Sequence, residues 1–165
     1  MKAEDASWPL GLTRDPGNPK TIEKLRQLEG YDMGPIRKLL VRDGWDEKNT
    51  KEVELRTKRF LALVFLDPGE VHTPAYGGVD EFWHQMIVYT PWYHEFCHAV
   101  FGEYLHHIPD PELSESGAKD GGKRTAELRA YWFGEKTTEA LLIPPPCRVP
   151  RNIPPDWAPA VGLRR

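Results

Sequence analysis

The chain has 165 residues, 25 acidic against 22 basic, and a formal net charge of −3, which fits one domain long enough to bury a core. Lys and Arg are interspersed with Asp and Glu, so no basic tract exists to follow a phosphate backbone and nucleic-acid binding is not expected. The longest apolar run, Phe60 to Leu66, is only seven residues, too short to span a membrane.

Helical periodicity dominates, and no alternating strand pattern appears. Thr21 to Leu28 and Pro35 to Val41 read as two short helices broken by Gly30 and Gly34. Asn49, with Glu52 three residues on, resembles a capping box that opens a helix from about Thr50 to Leu66. Its apolar stripe is Val53, Leu55, Arg56, Phe60, Leu63 and Val64, and Asp67-Pro68-Gly69 stops it. Gly77-Gly78 releases a helix from about Val79 to Tyr89. Thr90 then serves as N-cap and Pro91 sits in the first turn of a helix expected to reach His107. Ser114 to Lys123 is small, polar and glycine-rich and reads as a loop, followed by a last helix from about Thr125 to Phe133 that ends at Gly134.

Seven prolines between Pro144 and Pro159 exclude regular structure there. The expected architecture is all-α: a single small domain of five or six helices over residues 1–143, with an irregular proline-rich strap over 144–165. The N-terminus carries acids where a signal peptide needs an apolar core. Cys97 and Cys147 lie far apart. Free thiols in a reducing cytoplasm are the expectation.

The stretch Val79 to Pro109 holds five of the six histidines, set among Phe82, Trp83, Trp92, Tyr93, Phe96, Phe101 and Tyr104. Imidazoles in such company need a ligand or a hydrogen-bond network. His94-Glu95-Phe96-Cys97-His98 spells H-E-x-x-H, which in metallopeptidases puts two zinc ligands one turn apart around a glutamate base. On a helical wheel His94 and His98 fall on the shoulder of the apolar face, and no later segment supplies a third-ligand helix. The motif reads as two border histidines, not as a protease.

Asp80 and His84 stand four residues apart on one helix, so the carboxylate can orient the imidazole for a metal or for general-base work. A structural hydrogen bond needs the same spacing. Trp83 beside them gives a walled setting. His106 and His107 close the expected helix, where one imidazole benefits from the helix dipole and the other, turned about 100° away, can point inward. Cys97 reads as a small core residue or as a soft ligand. His72 stands alone in a loop.

These residues also carry a likeness. Arg59-Phe60-Leu61, Val79-Asp80-Glu81-Phe82-Trp83-His84, Thr90, Tyr93, Phe96-Cys97, Phe101-Gly102, His106-His107-Ile108-Pro109, Tyr131, Phe133 and Gly134 together resemble the bacterial branch of the glycine-rich domain-containing protein-like family. The resemblance covers about Glu52 to Gly134. It implies a small helical domain with no named substrate, and it points to Asp80, Trp83, His84, Cys97, His106 and His107. Many members have a second histidine where this chain has Met86, and larger relatives end in glycine-rich rather than proline-rich sequence.

The leading expectation is a pocket of His84, Cys97 and His106 or His107, with Asp80 and Trp83 behind them, able to hold zinc, iron or copper. Such a pocket suits an accessory or catalytic protein of a bacterial pathway acting on a small molecule. The rival is a non-enzymatic module that binds a protein partner and uses its histidines structurally. A metal-free enzyme with Asp80–His84 as base lacks a recognisable nucleophile.

Overall fold

The computed structural model describes residues 7–70, 72–74, 76–107 and 115–136, with backbone alone for 115–120. Six α-helices and a short 3₁₀ turn, with no strand, form the described residues, as the periodicity requires. After the 3₁₀ turn Pro9–Gly11 come α1 (Pro19–Gly30), α2 (Gly34–Arg42), α3 (Glu47–Leu66), α4 (Val79–Val88), α5 (Thr90–Phe101) and α6 (Glu115–Phe133). The proline-rich segment and the boundary at 143/144 lie outside the described residues.

Helix α3 is the axis, packed by α1, α2, α4 and α6. It starts earlier than the expected capping box. Asp46 is the N-cap, its carboxylate accepting the Asn49 N–H at 3.0 Å, because an aspartate three residues upstream is the stronger cap for the first free amides. The buried stripe runs through Thr50, Val53, Thr57, Phe60 and Leu61, while Leu55 faces solvent. Polar members of the stripe bring their own partners. Thr57 Oγ1 bonds the Val53 carbonyl at 2.8 Å. Lys58 Nζ donates to the carbonyls of Glu29 (2.7 Å) and Tyr31 (2.9 Å), so the end of α1 is tied to α3.

Gly78, at φ 82°, turns the chain into α4. A Cβ there would meet Val53 at 3.2 Å and Trp45 at 3.4 Å, so both conformation and close approach call for glycine. Tyr89 alone separates α4 from α5, and the two helices pack together. The expected run of α5 to His107 does not occur. Gly102 adopts φ 77°, and its N–H donates to the carbonyls of Cys97 and His98 at 3.1 and 3.2 Å, which closes the helix. Residues 104–107 continue without helix.

Of the loop expected at Ser114 to Lys123, the described residues, from Glu115 on, are instead helical and open α6. Thr125, Arg129 and Phe133 of α6 are buried. The Arg129 guanidinium lies over the Tyr76 ring at 3.5 Å and bonds Glu135, which also holds Arg59 of α3 at 2.9 Å. Tertiary burial of this face thus overrides the weak helical preference of the glycines.

Asp67, just past α3, binds Arg124 of α6 through both carboxylate oxygens, at 2.6 and 2.7 Å. That pairing holds the Asp67 carboxyl below its ordinary value of 3.8. A carboxyl lowered by folding stabilises the fold above the unfolded-state value and loses that effect as pH falls through the folded one. Asp67→Asn should therefore lower the melting temperature at neutral pH. The gap to the parent protein should close as the buffer is acidified, which melting curves across the acid range would read.

Candidate metal centre

The first turn of α4 carries Asp80, and one turn later comes His84. His84 Nδ1 lies 2.7 Å from the Asp80 backbone carbonyl and 3.5 Å from its carboxylate. A carbonyl oxygen only accepts, so Nδ1 carries a proton, and in the neutral imidazole the lone pair is then on Nε2. His107 arrives from the segment beyond α5, and its Nε2–H donates to Asp80 Oδ1 at 2.9 Å. The two imidazole rings stand 4.5 Å apart, centroid to centroid. One ligand atom from each of Asp80, His84 and His107 falls within 4.8 Å of the others, a separation that one metal ion can bridge.

The surroundings are asymmetric. The His107 side chain is 13% exposed and that of His84 is 42%, so the group is walled on one side and open on the other. Trp83 forms the wall, its ring 4.5 Å from that of His107 and 5.4 Å from Phe60. Beside it, burial raises the Glu81 carboxyl above its ordinary value, and the Asp80 charge adds to this.

The segment that brings His107 back is held by a chain of hydrogen bonds. Trp83 Nε1–H donates to Tyr93 Oη at 3.0 Å, and the Tyr93 hydroxyl donates to the Leu105 carbonyl at 2.6 Å. Tyr93 is fully buried, and burial drives its hydroxyl far above its ordinary value. Cys97, one turn along α5, lies against the Tyr93 hydroxyl and the Leu105 backbone, and burial pushes its thiol up. A raised, buried thiol is a poor source of thiolate for a metal.

Of the residues expected to share a pocket, Asp80, Trp83, His84 and His107 come together. Cys97 and His106 do not join the three-residue group. The reason for His106 is the end of α5 at Gly102: past it the chain is not helical, His107 turns inward, and His106 is exposed, with its ring against that of Tyr104 at 4.7 Å between centroids. His94, Glu95 and His98 are all exposed on α5, which agrees with border positions. His72 is not isolated, since its Nε2 lies 3.3 Å from the Asp67 carbonyl. The role of the Tyr93 hydroxyl was missed from sequence. The available signal was a phenol in the middle of an apolar face, which must find a partner for its O–H.

A family model described as UCP032817-like matches residues 13–150. The chain belongs to the UCP032817-like family. This overturns the resemblance to the glycine-rich domain-containing proteins, which rested on short pieces that one helical family shares easily with another. The UCP032817-like description names no activity. No curated protein and no solved structure matches the chain. Among the described residues, no helix is long and apolar enough to cross a membrane.

Asp80 accepts from His107 inside a half-buried group, so its removal strands a donor there. Asp80→Ala should cost on the order of 1–3 kcal/mol, read as a fall in melting temperature of the metal-free protein. An unchanged curve would mean that the contact contributes nothing to folding.

Proposed function

We propose that this member of the UCP032817-like family binds a transition metal through Asp80, His84 and His107 and presents it to a small-molecule ligand. The observation that carries the reading is the convergence of two imidazoles and one carboxylate within 4.8 Å, on the rim of a walled surface. Imidazole nitrogen with carboxylate oxygen suits zinc or iron, and imidazole also suits copper; with Cys97 set apart, the soft-ligand case for copper(I) weakens. Three protein ligands leave coordination positions for an outside ligand, as catalytic rather than structural sites do. When bound, the metal would supply Lewis acidity; the protein's part is to hold Asp80 and His107 in place and to keep His84 Nε2 free. Engagement of His84 Nδ1 by a backbone carbonyl is the usual outer support of a ligating histidine.

One observation favours a second, non-enzymatic reading. The Asp80–His107 bond at 2.9 Å already satisfies both groups and can act as a structural lock between α4 and the segment after α5.

Metal content of protein purified without an affinity tag separates the two. The parent should carry a transition metal, and His84→Ala and His107→Ala should lose it, whereas His94→Ala and His106→Ala should keep it. Absence of metal from the parent after supplementation with zinc, iron and copper would leave the structural lock. Equal loss in His94→Ala would move the site to the H-E-x-x-H residues.

A further inference from the structure

We infer that Tyr93 is a positioning residue for His107, and that its hydroxyl, not its ring, sets the geometry of the Asp80–His84–His107 group. The metal arm of this inference rests on the function proposed above; its structural arm does not. Tyr93 lies fourteen positions before His107 and nowhere touches Asp80 or His84 in the hydrogen bonds of the site. Its influence passes through Leu105. The hydroxyl holds the Leu105 carbonyl at 2.6 Å, and His106 is the one residue between that anchor and His107.

Two features make the hydroxyl a directional device. It accepts from Trp83 Nε1 at 3.0 Å, which fixes the acceptor side and leaves its single proton for Leu105. Trp83 also packs its ring against that of His107, at 4.5 Å between centroids. One tryptophan therefore sets both the clamp and the ring that the clamp delivers. In the rest of this stretch Gly102, Glu103 and His106 are exposed, and Tyr104 packs edge-on against the Tyr93 ring with centroids 5.2 Å apart, a contact that depends on the ring and not on the hydroxyl. With the hydroxyl gone, the tether between the end of α5 and His107 keeps its packing but loses its fixed length and direction. A donor misplaced by a fraction of an ångström weakens an ion's coordination more than it weakens a fold.

Tyr93→Phe keeps the ring and removes the hydroxyl. Thr57→Val is the control, because it removes a buried hydroxyl bond of 2.8 Å on α3, away from the clamp. Two readouts are needed on folded protein: the nitrogen-detected NMR tautomer of His107 in metal-free protein, and the zinc affinity measured by competition with a chelating dye. In the parent, His107 should show one tautomer protonated at Nε2. In Tyr93→Phe it should average between forms, and zinc affinity should fall about tenfold. Thr57→Val should lower the melting temperature and leave both readouts in place. If Tyr93→Phe does not fold, Trp83→Phe, which removes the donor that orients the hydroxyl, takes its place under the same readouts. An unaltered His107 tautomer in the folded variant overturns the inference, as does an equal change in Thr57→Val. A parent that binds no zinc removes the metal reading alone, because the tautomer still decides the role of Tyr93.

Discussion

A phenol hydroxyl enclosed by apolar side chains must find partners or cost the fold dearly. Tyr93 finds two, one on the preceding helix and one on the chain that follows its own. Trp83 lies on α4 and Leu105 beyond α5, so one atom joins three stretches of backbone. The fold around the site follows from that junction. α5 has to stop at Gly102 for the chain to come back within reach, and α4 has to lie alongside for Trp83 to donate. Cys97 adds its thiol to the same junction. Residues that look like ligands in sequence and residues that look like core thus have a common physical task.

Much of the architecture was legible because its causes are local. The start of α4 follows Gly78, where conformation and the nearness of Val53 both demand glycine. The end of α6 follows Gly134, at φ 63°. The body of α3 follows from its apolar period, although Leu55 proved exposed and Thr57 and Lys58 buried. Those two polar residues are inside because a back-bond and two carbonyls await them, and no wheel projection registers such partners. The start of α6 was illegible for a related reason. Its glycines argue against helix, and only the buried face formed by Thr125, Arg129 and Phe133 against distant residues outweighs them.

At the site, the sequence was informative about pairs on one element and uninformative across elements. Asp80 and His84 share a helix four residues apart, so their meeting was open to prediction. The choice between His106 and His107 depended on where α5 ends. A helix running on to His107 points both imidazoles from its last turn, whereas a stop at Gly102 sends them to opposite sides. Gly102 carried the signal, as a residue suited to a left-handed helix end, and the polar tract after it was read as more helix. Cys97 shows the limit of reading a residue type as chemistry. A cysteine on a buried face near histidines has the right atoms for a metal, but its orientation follows the apolar face of its helix, and there it meets Tyr93.

The two histidines around Asp80 do not carry equal weight for folding. His107 is mostly buried, touches Trp83 and makes the short bond to the carboxylate, so its removal unsettles packing as well as charge. His84 is nearly half exposed, and its closest bond is to a backbone carbonyl within its own helix. An exposed contact of that kind adds little to stability. A structural lock alone would need only Asp80 and His107. The feature a lock leaves unexplained is a third ligating side chain, oriented by its own helix, that brings a ligand atom within 4.8 Å of the other two at the open edge of the wall. That surplus is what favours binding over mere cohesion at this end of the molecule.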